Sequence, residues 1–211
     1  MKYDNFLLFP ICFTHFENIE VDHKAILSEL KKIPYIPYPI TSSFFPNLST
    51  NLNISKNQSS LLNDLKNGET LINEINKCVK EVLKNFYSFE VDFKIATHWA
   101  TKSKPKYIGE YHSHPNFWFT GCYYPDGSIE DKFYISVKNP KTPLYLPKKI
   151  IANELNSDTF EFIITEGSLV IFPAYLEHKI GFNNTNKDRY SVAFNIFPKG
   201  YMGDIHNGFI I

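Results

Sequence analysis

Three histidines and one arginine carry the chemistry legible in this chain of 211 residues. His112 and His114 are separated by a single residue. On extended backbone, positions i and i+2 project to one side. The two imidazoles, set at a strand end before the turn Pro115-Asn116, can therefore share a metal. His178 follows much later, after the apolar run Ser168–Pro173, and offers a third imidazole. A borderline divalent metal such as Fe(II) takes imidazole and carboxylate ligands on one face of an octahedron and keeps the opposite positions open. Arg189 opens the run Arg-Tyr-Ser-Val-Ala-Phe-Asn195. Arginine is rare in this Lys-dominated chain, and its planar fork matches a carboxylate bidentately, a geometric task lysine cannot do. Ser191 shares a strand face with Arg189, and Tyr124 ends the strand after the histidine pair. Either hydroxyl can add a hydrogen bond to an anion. His15, His23, His98 and His206 lack partner spacing and read as surface or structural groups. Asp126 and Asp131 sit in a turn and read as solvated. Trp99, Trp118 and Tyr175 read as core or as the lining of a substrate mouth.

These groups need a scaffold that brings distant strands together. Asp22 to Lys32 predicts a short amphipathic helix, with Asp22 as N-cap and Ile26, Leu27 and Leu30 on one face. Residues 33–60, rich in Pro, Ser and Asn, predict loop or isolated extended chain. Glu69 to Phe86 predicts a longer helix, with Leu71, Ile75, Val79, Val82 and Phe86 in a stripe that Ile72 and Leu83 widen. From Phe89 the period changes to two: Phe89, Val91, Phe93, Ile95, Thr97 and Trp99 alternate with more polar residues. Strands are expected at 107–112, 117–124, 132–137, 159–165, 168–173, 179–182 and 190–197. Turn signals such as Pro125-Asp-Gly127 and Glu166-Gly167 separate them. Helices followed by about eight short strands predict a mainly β fold, a helix-buttressed jelly roll. The expected organisation is one domain over 1–211, with a helical and loop part (1–88) and a jelly-roll core (89–200).

Composition narrows the function classes. With 22 basic and 22 acidic residues, the chain lacks the basic excess that phosphate neutralisation requires, so no nucleic-acid partner is expected. Cys12, Cys78 and Cys122 form no CxxC pair and suggest neither a disulfide framework nor a zinc ribbon. Reduced thiols fit a cytoplasmic protein. The run Phe6–Phe13 has no basic leader and is broken by Pro10, so neither signal peptide nor membrane span is expected. The abundance of Asn, Lys, Ile and Phe reads as the codon bias of an AT-rich genome.

The ordered blocks His112-Ser-His-Pro-Asn116, Thr120-Gly-Cys-Tyr-Tyr124, Phe172-Pro-Ala-Tyr-Leu-Glu-His178 and Arg189-Tyr-Ser-Val-Ala-Phe-Asn195, with Leu8-Phe9-Pro10-Ile11 near the start, resemble the 2-oxoglutarate/Fe(II)-dependent dioxygenase superfamily. Within it, the chain looks most similar to a prolyl-hydroxylase-like group of uncharacterised oxygenases. That resemblance implies a double-stranded β-helix (cupin-like jelly roll) holding Fe(II) on His112, His114 and His178. It also implies 2-oxoglutarate as cosubstrate, held at its distal carboxylate by Arg189, Ser191 and Tyr124, with ascorbate as reductant. The implied reaction is hydroxylation of a C–H bond in a small-molecule or peptide substrate, and a homodimer is compatible with it. The family pattern is His-x-Asp/Glu, however, and here His114 stands where the carboxylate is usual. Three ligand sets compete: all three histidines, His114 with Asn116, or Glu110 with His112. A three-histidine cupin that uses no 2-oxoglutarate is the alternative enzyme, and a jelly-roll binding module without metal is the non-enzymatic one.

Overall fold

The computed structural model describes residues 13–38, 52–140, 150–151, 156–204 and 206–211. Leu8–Ile11 and Cys12 lie outside the described residues. Two helices form where the period-3.6 pattern places them. Helix α1 (His23–Leu30) is capped by Asp22, whose side chain accepts from the Ala25 amide at 2.9 Å. Helix α2 (Gly68–Asn85) buries Leu71, Ile75, Val79, Val82 and Leu83. Phe86 falls just past its last turn and is exposed, contrary to its place in the expected stripe.

The strands are β1 (Thr14–Phe16), β2 (Tyr35–Pro37), β3 (Leu52–Ser55), β4 (Asp92–Ser103), β5 (Phe119–Tyr123), β6 (Tyr134–Lys138), β7 (Thr159–Ile163), β8 (Leu169–Pro173), β9 (His178–Ile180), β10 (Arg189–Lys199), β11 (Tyr201–Met202) and β12 (Phe209–Ile210). The major sheet runs β1-β8-β5-β10-β4-β3-β2 and the minor sheet β7-β6-β9, while β11 and β12 form a separate pair. Strands β2 and β3 are a departure, since the Pro-rich stretch was expected to hold no paired strand. They pair with each other at the sheet margin, where Pro37 costs no interior hydrogen bond. The expected strand 107–112 is another. It is extended chain beside β9, tied by Gly109 N to the Ile180 carbonyl (3.0 Å) and by a single bridge, His112 to His178. A Cβ at Gly109 would press on Ile180, so this close approach needs glycine.

Between β4 and β10 the chain passes from sheet to sheet, and the two sheets close over a core of Tyr124, Phe133, Ile135, Val137, Ile164, Val170, Phe172 and Leu176. That is a double-stranded β-helix, or jelly roll. Helices α1 and α2 cover the outer face of the major sheet through a second core that includes Ile26, Leu30, Leu71, Ile75, Tyr123, Val192, Phe194 and Ile196. Among the described residues no helix is long and apolar enough to cross a membrane.

One irregularity positions the site. The pairing of β4 with β10 slips between Asn195 and Ile196, leaving Ala96 as an extra residue. A bulge of this kind reverses which face the following residues present. Val91, Phe93 and Ile95 pack on the helix side, as do His98 and Ala100 beyond the slip. Thr97, Trp99 and Thr101 therefore turn inward. The six-residue alternation read as one strand face is split in two.

Candidate metal centre and anion pocket

Backbone pairing assembles the three histidines. His112 and His178 sit opposite each other and exchange both backbone hydrogen bonds, at 3.0 and 2.9 Å. The His114 amide donates to the Ala174 carbonyl at 2.7 Å, in the turn that carries the chain from β8 to β9. The imidazole centroids stand 5.3 Å (His112–His114), 4.4 Å (His112–His178) and 5.2 Å (His114–His178) apart. One ring nitrogen from each lies within 4.8 Å of the others, and among the described residues no carboxylate joins the group. Glu110 and Asn116, the competing candidates, are both exposed.

Each ring is held in one tautomer. His112 Nδ1 faces the Glu110 carbonyl at 3.0 Å, and His178 Nδ1 faces the Leu176 carbonyl at 2.9 Å. His114 Nδ1 faces Asn195 Oδ1 at 2.6 Å. At its other end Asn195 Nδ2 donates to Thr97 Oγ1 at 2.9 Å. All three partners are oxygens that only accept, so each Nδ1 carries the proton and each Nε2 keeps a free lone pair. Burial, and then the neighbouring His112, pushes the His178 pKa down to about 3. Burial also lowers His114, against the pull of Asn195. Neutral imidazoles with free Nε2 atoms are the state a metal takes. The donor set suits a borderline divalent ion and carries no charge of its own.

The second half of the site lies along the same sheet face. Arg189, Ser191, Ala193 and Asn195 alternate on β10, so one strand reaches from the histidines to the arginine, about 20 Å at the usual rise per residue. Opposite them on β5 stand Thr120 and Cys122, with Tyr124 directly after the strand. Ala193 and Cys122 are directly paired in the middle of the major sheet, yet both keep some solvent access. Their neighbours Arg189, Ser191 and Asn195 are buried. This pair of short side chains lies between the two ends. At the arginine end, the Arg189 Nε and the Tyr124 hydroxyl are buried without a hydrogen bond of regular geometry. Burial, chiefly, raises the Tyr124 pKa well above its ordinary value. Ser191 Oγ is hydrogen-bonded to Thr101 Oγ1 at 2.6 Å. Buried donors without partners beside a guanidinium suit an anionic ligand.

Residues 97–195 match the family model described as "Putative 2OG-Fe(II) oxygenase". Over this segment, which holds the site, the chain is similar to the 2-oxoglutarate/Fe(II) oxygenases. The matched segment starts at Thr97 and ends at Asn195, the two residues whose side chains are hydrogen-bonded behind His114. Among solved structures, HygX from Streptomyces hygroscopicus, with nickel and 2-oxoglutarate bound, is similar over 88% of this chain and 82% of its own, at TM-score 0.61 and 10% identity. A Pseudomonas putida prolyl-4-hydroxylase is similar over 87% and 91%, at TM-score 0.59 and 9% identity. The α-ketoglutarate-dependent epimerase SnoN of nogalamycin biosynthesis is similar over 88% and 76%, at TM-score 0.62 and 10% identity. At such identities the likeness is one of fold. No curated protein matches the sequence.

Sequence pattern alone leaves several site residues without a role. Asn195 and Thr120, which meet His114 Nδ1 at 2.6 and 3.1 Å, lie inside the recognised blocks. Counting in twos from Arg189 along β10 reaches Asn195. Trp99 stands beside the centre, 5.9 Å from the His114 ring. Trp118 instead packs on Phe119 and Phe89, and Tyr175 is exposed. His15, His23 and His98 are hydrogen-bonded away from the site, to Ser168, to Tyr123 and Asn18, and to the Leu62 amide respectively. Asp131 and Asp126 correct the solvated-turn expectation. Asp131 accepts from Arg189 Nη2 at 2.6 Å, and Asp126 Oδ1 is buried without a partner. Burial pushes the Asp126 carboxyl up, against the pull of Arg189. The fold brings this turn down onto the arginine, a long-range contact no local pattern reports.

Proposed function

We propose that this chain is an Fe(II)- and 2-oxoglutarate-dependent dioxygenase that hydroxylates a C–H bond of a small-molecule or peptide substrate. The observation that carries this function is the tautomer control described above, set on the same sheet face as a buried arginine with an unsatisfied edge. His112, His114 and His178 would hold Fe(II) through Nε2. Arg189, Ser191 and Tyr124 would hold the distal carboxylate of 2-oxoglutarate. When bound, iron and cosubstrate supply O₂-dependent oxidation coupled to release of succinate and CO₂, with ascorbate as the reductant that keeps the metal ferrous.

The protein's share is binding, orientation and exclusion of water. Asn195 and the two backbone carbonyls fix the imidazole planes before any ligand arrives. Ala193 and Cys122, paired between the two ends, have short side chains that would leave space for the cosubstrate. Phe172, edge-on to His178 at 4.6 Å, closes the inner side against solvent. His112 is exposed, so substrate approaches from its side, past Trp99. The test is Arg189→Ala. Metal affinity should stay within about twofold while 2-oxoglutarate affinity falls by more than about a hundredfold, the scale of truncating a buried charged hydrogen-bonding partner. Unchanged 2-oxoglutarate affinity would sink the cosubstrate assignment.

A second function has specific support. Among the described residues no carboxylate joins the centre, and Arg189 already carries Asp131. Both features suit a three-histidine cupin enzyme that uses no 2-oxoglutarate. Succinate formed on incubation with Fe(II), ascorbate, 2-oxoglutarate and O₂ separates the two.

A further inference from the structure

Arg189 is the chain's only arginine, and it is only 6% exposed. Three of its sides are occupied. Nη2 donates to Asp131 Oδ2 at 2.6 Å. The guanidinium carbon stands 4.3 Å from the centre of the Phe133 ring. Nη1 lies against Gly127, where an added Cβ would come within 3.1 Å of it. Nε is buried without a hydrogen-bond partner. Asp131 is also held independently of the arginine. It ends the short 3-10 turn Ile129–Asp131, and the Ser128 amide donates to the same Oδ2 at 3.1 Å in a reciprocal capping box. The carboxylate is therefore built into the fold and does not merely swing towards a nearby charge.

An unpaired guanidinium in a buried pocket is strongly unfavourable. A pocket whose ligand is an exchangeable anion meets that state each time the ligand leaves. Overall charge points the same way. A divalent metal and one guanidinium bring three positive charges, and a dicarboxylate brings two negative ones. In the usual pattern the third negative charge sits on the metal-ligating Asp or Glu. Here three neutral imidazoles replace that set, and Asp131 sets a carboxylate on Arg189 instead.

We propose that Asp131 is an internal counter-ion for Arg189, keeping the guanidinium paired when no dicarboxylate is present and weakening its hold on the distal carboxylate of 2-oxoglutarate. This rests on Arg189 being the cosubstrate's anchor. Asp131 is a positioning and affinity-setting residue, and its removal should act in opposite directions on stability and on binding. A merely structural residue would lower both.

The experiment uses the full chain loaded with Ni(II), a redox-inert stand-in for Fe(II), and calorimetric titration with 2-oxoglutarate. Asp131→Asn should bind 2-oxoglutarate about fivefold tighter, the value of one interaction with a carboxylate that is one-third exposed. Its melting temperature without cosubstrate should fall. Asp131→Glu, which keeps the charge, should stay within about twofold of wild-type affinity. Equal or weaker binding by folded Asp131→Asn overturns the counter-ion. A measurement on the wild type covers the case in which the variant fails to fold. With Arg189 already paired, 2-oxoglutarate should bind less than about tenfold tighter than its distal amide, 2-oxoglutaramate, and a preference above about a hundredfold overturns the proposal. If the metal-loaded wild type binds no 2-oxoglutarate, the cosubstrate reading fails and takes this one with it. Normal wild-type binding with an insensitive Asp131→Asn removes the counter-ion alone.

Discussion

Removing the support behind His114 should weaken the metal centre in two separable steps. His114 Nδ1 donates to Asn195 Oδ1 at 2.6 Å and lies 3.1 Å from Thr120 Oγ1. The Thr120 hydroxyl donates to the Phe194 carbonyl at 2.9 Å, so its lone pairs remain free to accept from the ring. In Asn195→Ala the shorter bond is lost, but Thr120 still favours the Nδ1-H tautomer. Outer-shell partners of metal-binding histidines are typically worth about 10- to 100-fold in affinity. With a backup acceptor in place the lower figure applies: about tenfold, or about 1.4 kcal/mol. Asn195→Ala combined with Thr120→Val removes both acceptors, and the loss should reach about a hundredfold, or about 2.8 kcal/mol. The assay is a competition titration of Co(II) or Ni(II) against a chelator of known affinity. A melting curve serves as control, since Asn195 is buried and its loss leaves Thr97 Oγ1 without a donor, at a cost of about 1–3 kcal/mol. Folded double variant with wild-type metal affinity would refute tautomer control by Asn195 and Thr120, and with it the assignment of His114 as a ligand.

Three further outcomes follow from particular contacts. Metal should stabilise the fold, because the three-histidine group exists only in the native state: at a hundredfold excess over the dissociation constant the gain is about 2.7 kcal/mol. A chelator that leaves the melting temperature unchanged contradicts this. His98 accepts from the Leu62 amide through Nδ1 at 2.9 Å, and burial holds its pKa below the ordinary value of 6.5. Protonation therefore favours the unfolded chain, so stability is lost as pH falls below about 6.5 and the loss levels off beneath the lowered folded-state pKa. Urea midpoints at pH 7.5 and 5.5 should differ less in His98→Asn than in wild type, and an equal difference would dismiss the group. Gly121→Ala should destabilise by about 1–3 kcal/mol or more, because a Cβ there would collide with the Phe194 ring and the Val170 carbonyl. An unaltered urea midpoint would show that the sheet gives way without strain.

Much of the architecture was readable because local physics sets it. Helices α1 and α2 formed within a residue or two of their apolar stripes, and the Asp22 cap formed as expected. Strands β5 to β10 fell where alternation and turn residues placed them. The failures share a cause. The segment 107–112 has strand-like residues but finds only scattered pairing beside β9. The extra residue Ala96 is invisible to a pattern of alternation, since an insertion matters only against a partner strand. Without it, Thr97 and Trp99 would face the helices together with Ile95.

The sequence by itself determined which residues could do chemistry: a histidine pair at strand spacing, a third histidine, and a lone arginine two positions before a serine. Those identities and spacings are local, and the period of a strand is enough to place them on faces. Tertiary structure alone decided how they are used. Pairing of His112 with His178 and of His114 with Ala174 closed two separate segments into one centre, and Asn195 and two carbonyls chose the tautomer. The turn at 126–131 read as solvated, and only the closing of the barrel pressed Asp131 onto Arg189. A charge's partner depends on what the fold leaves beside it after water is excluded, which no count along the chain records.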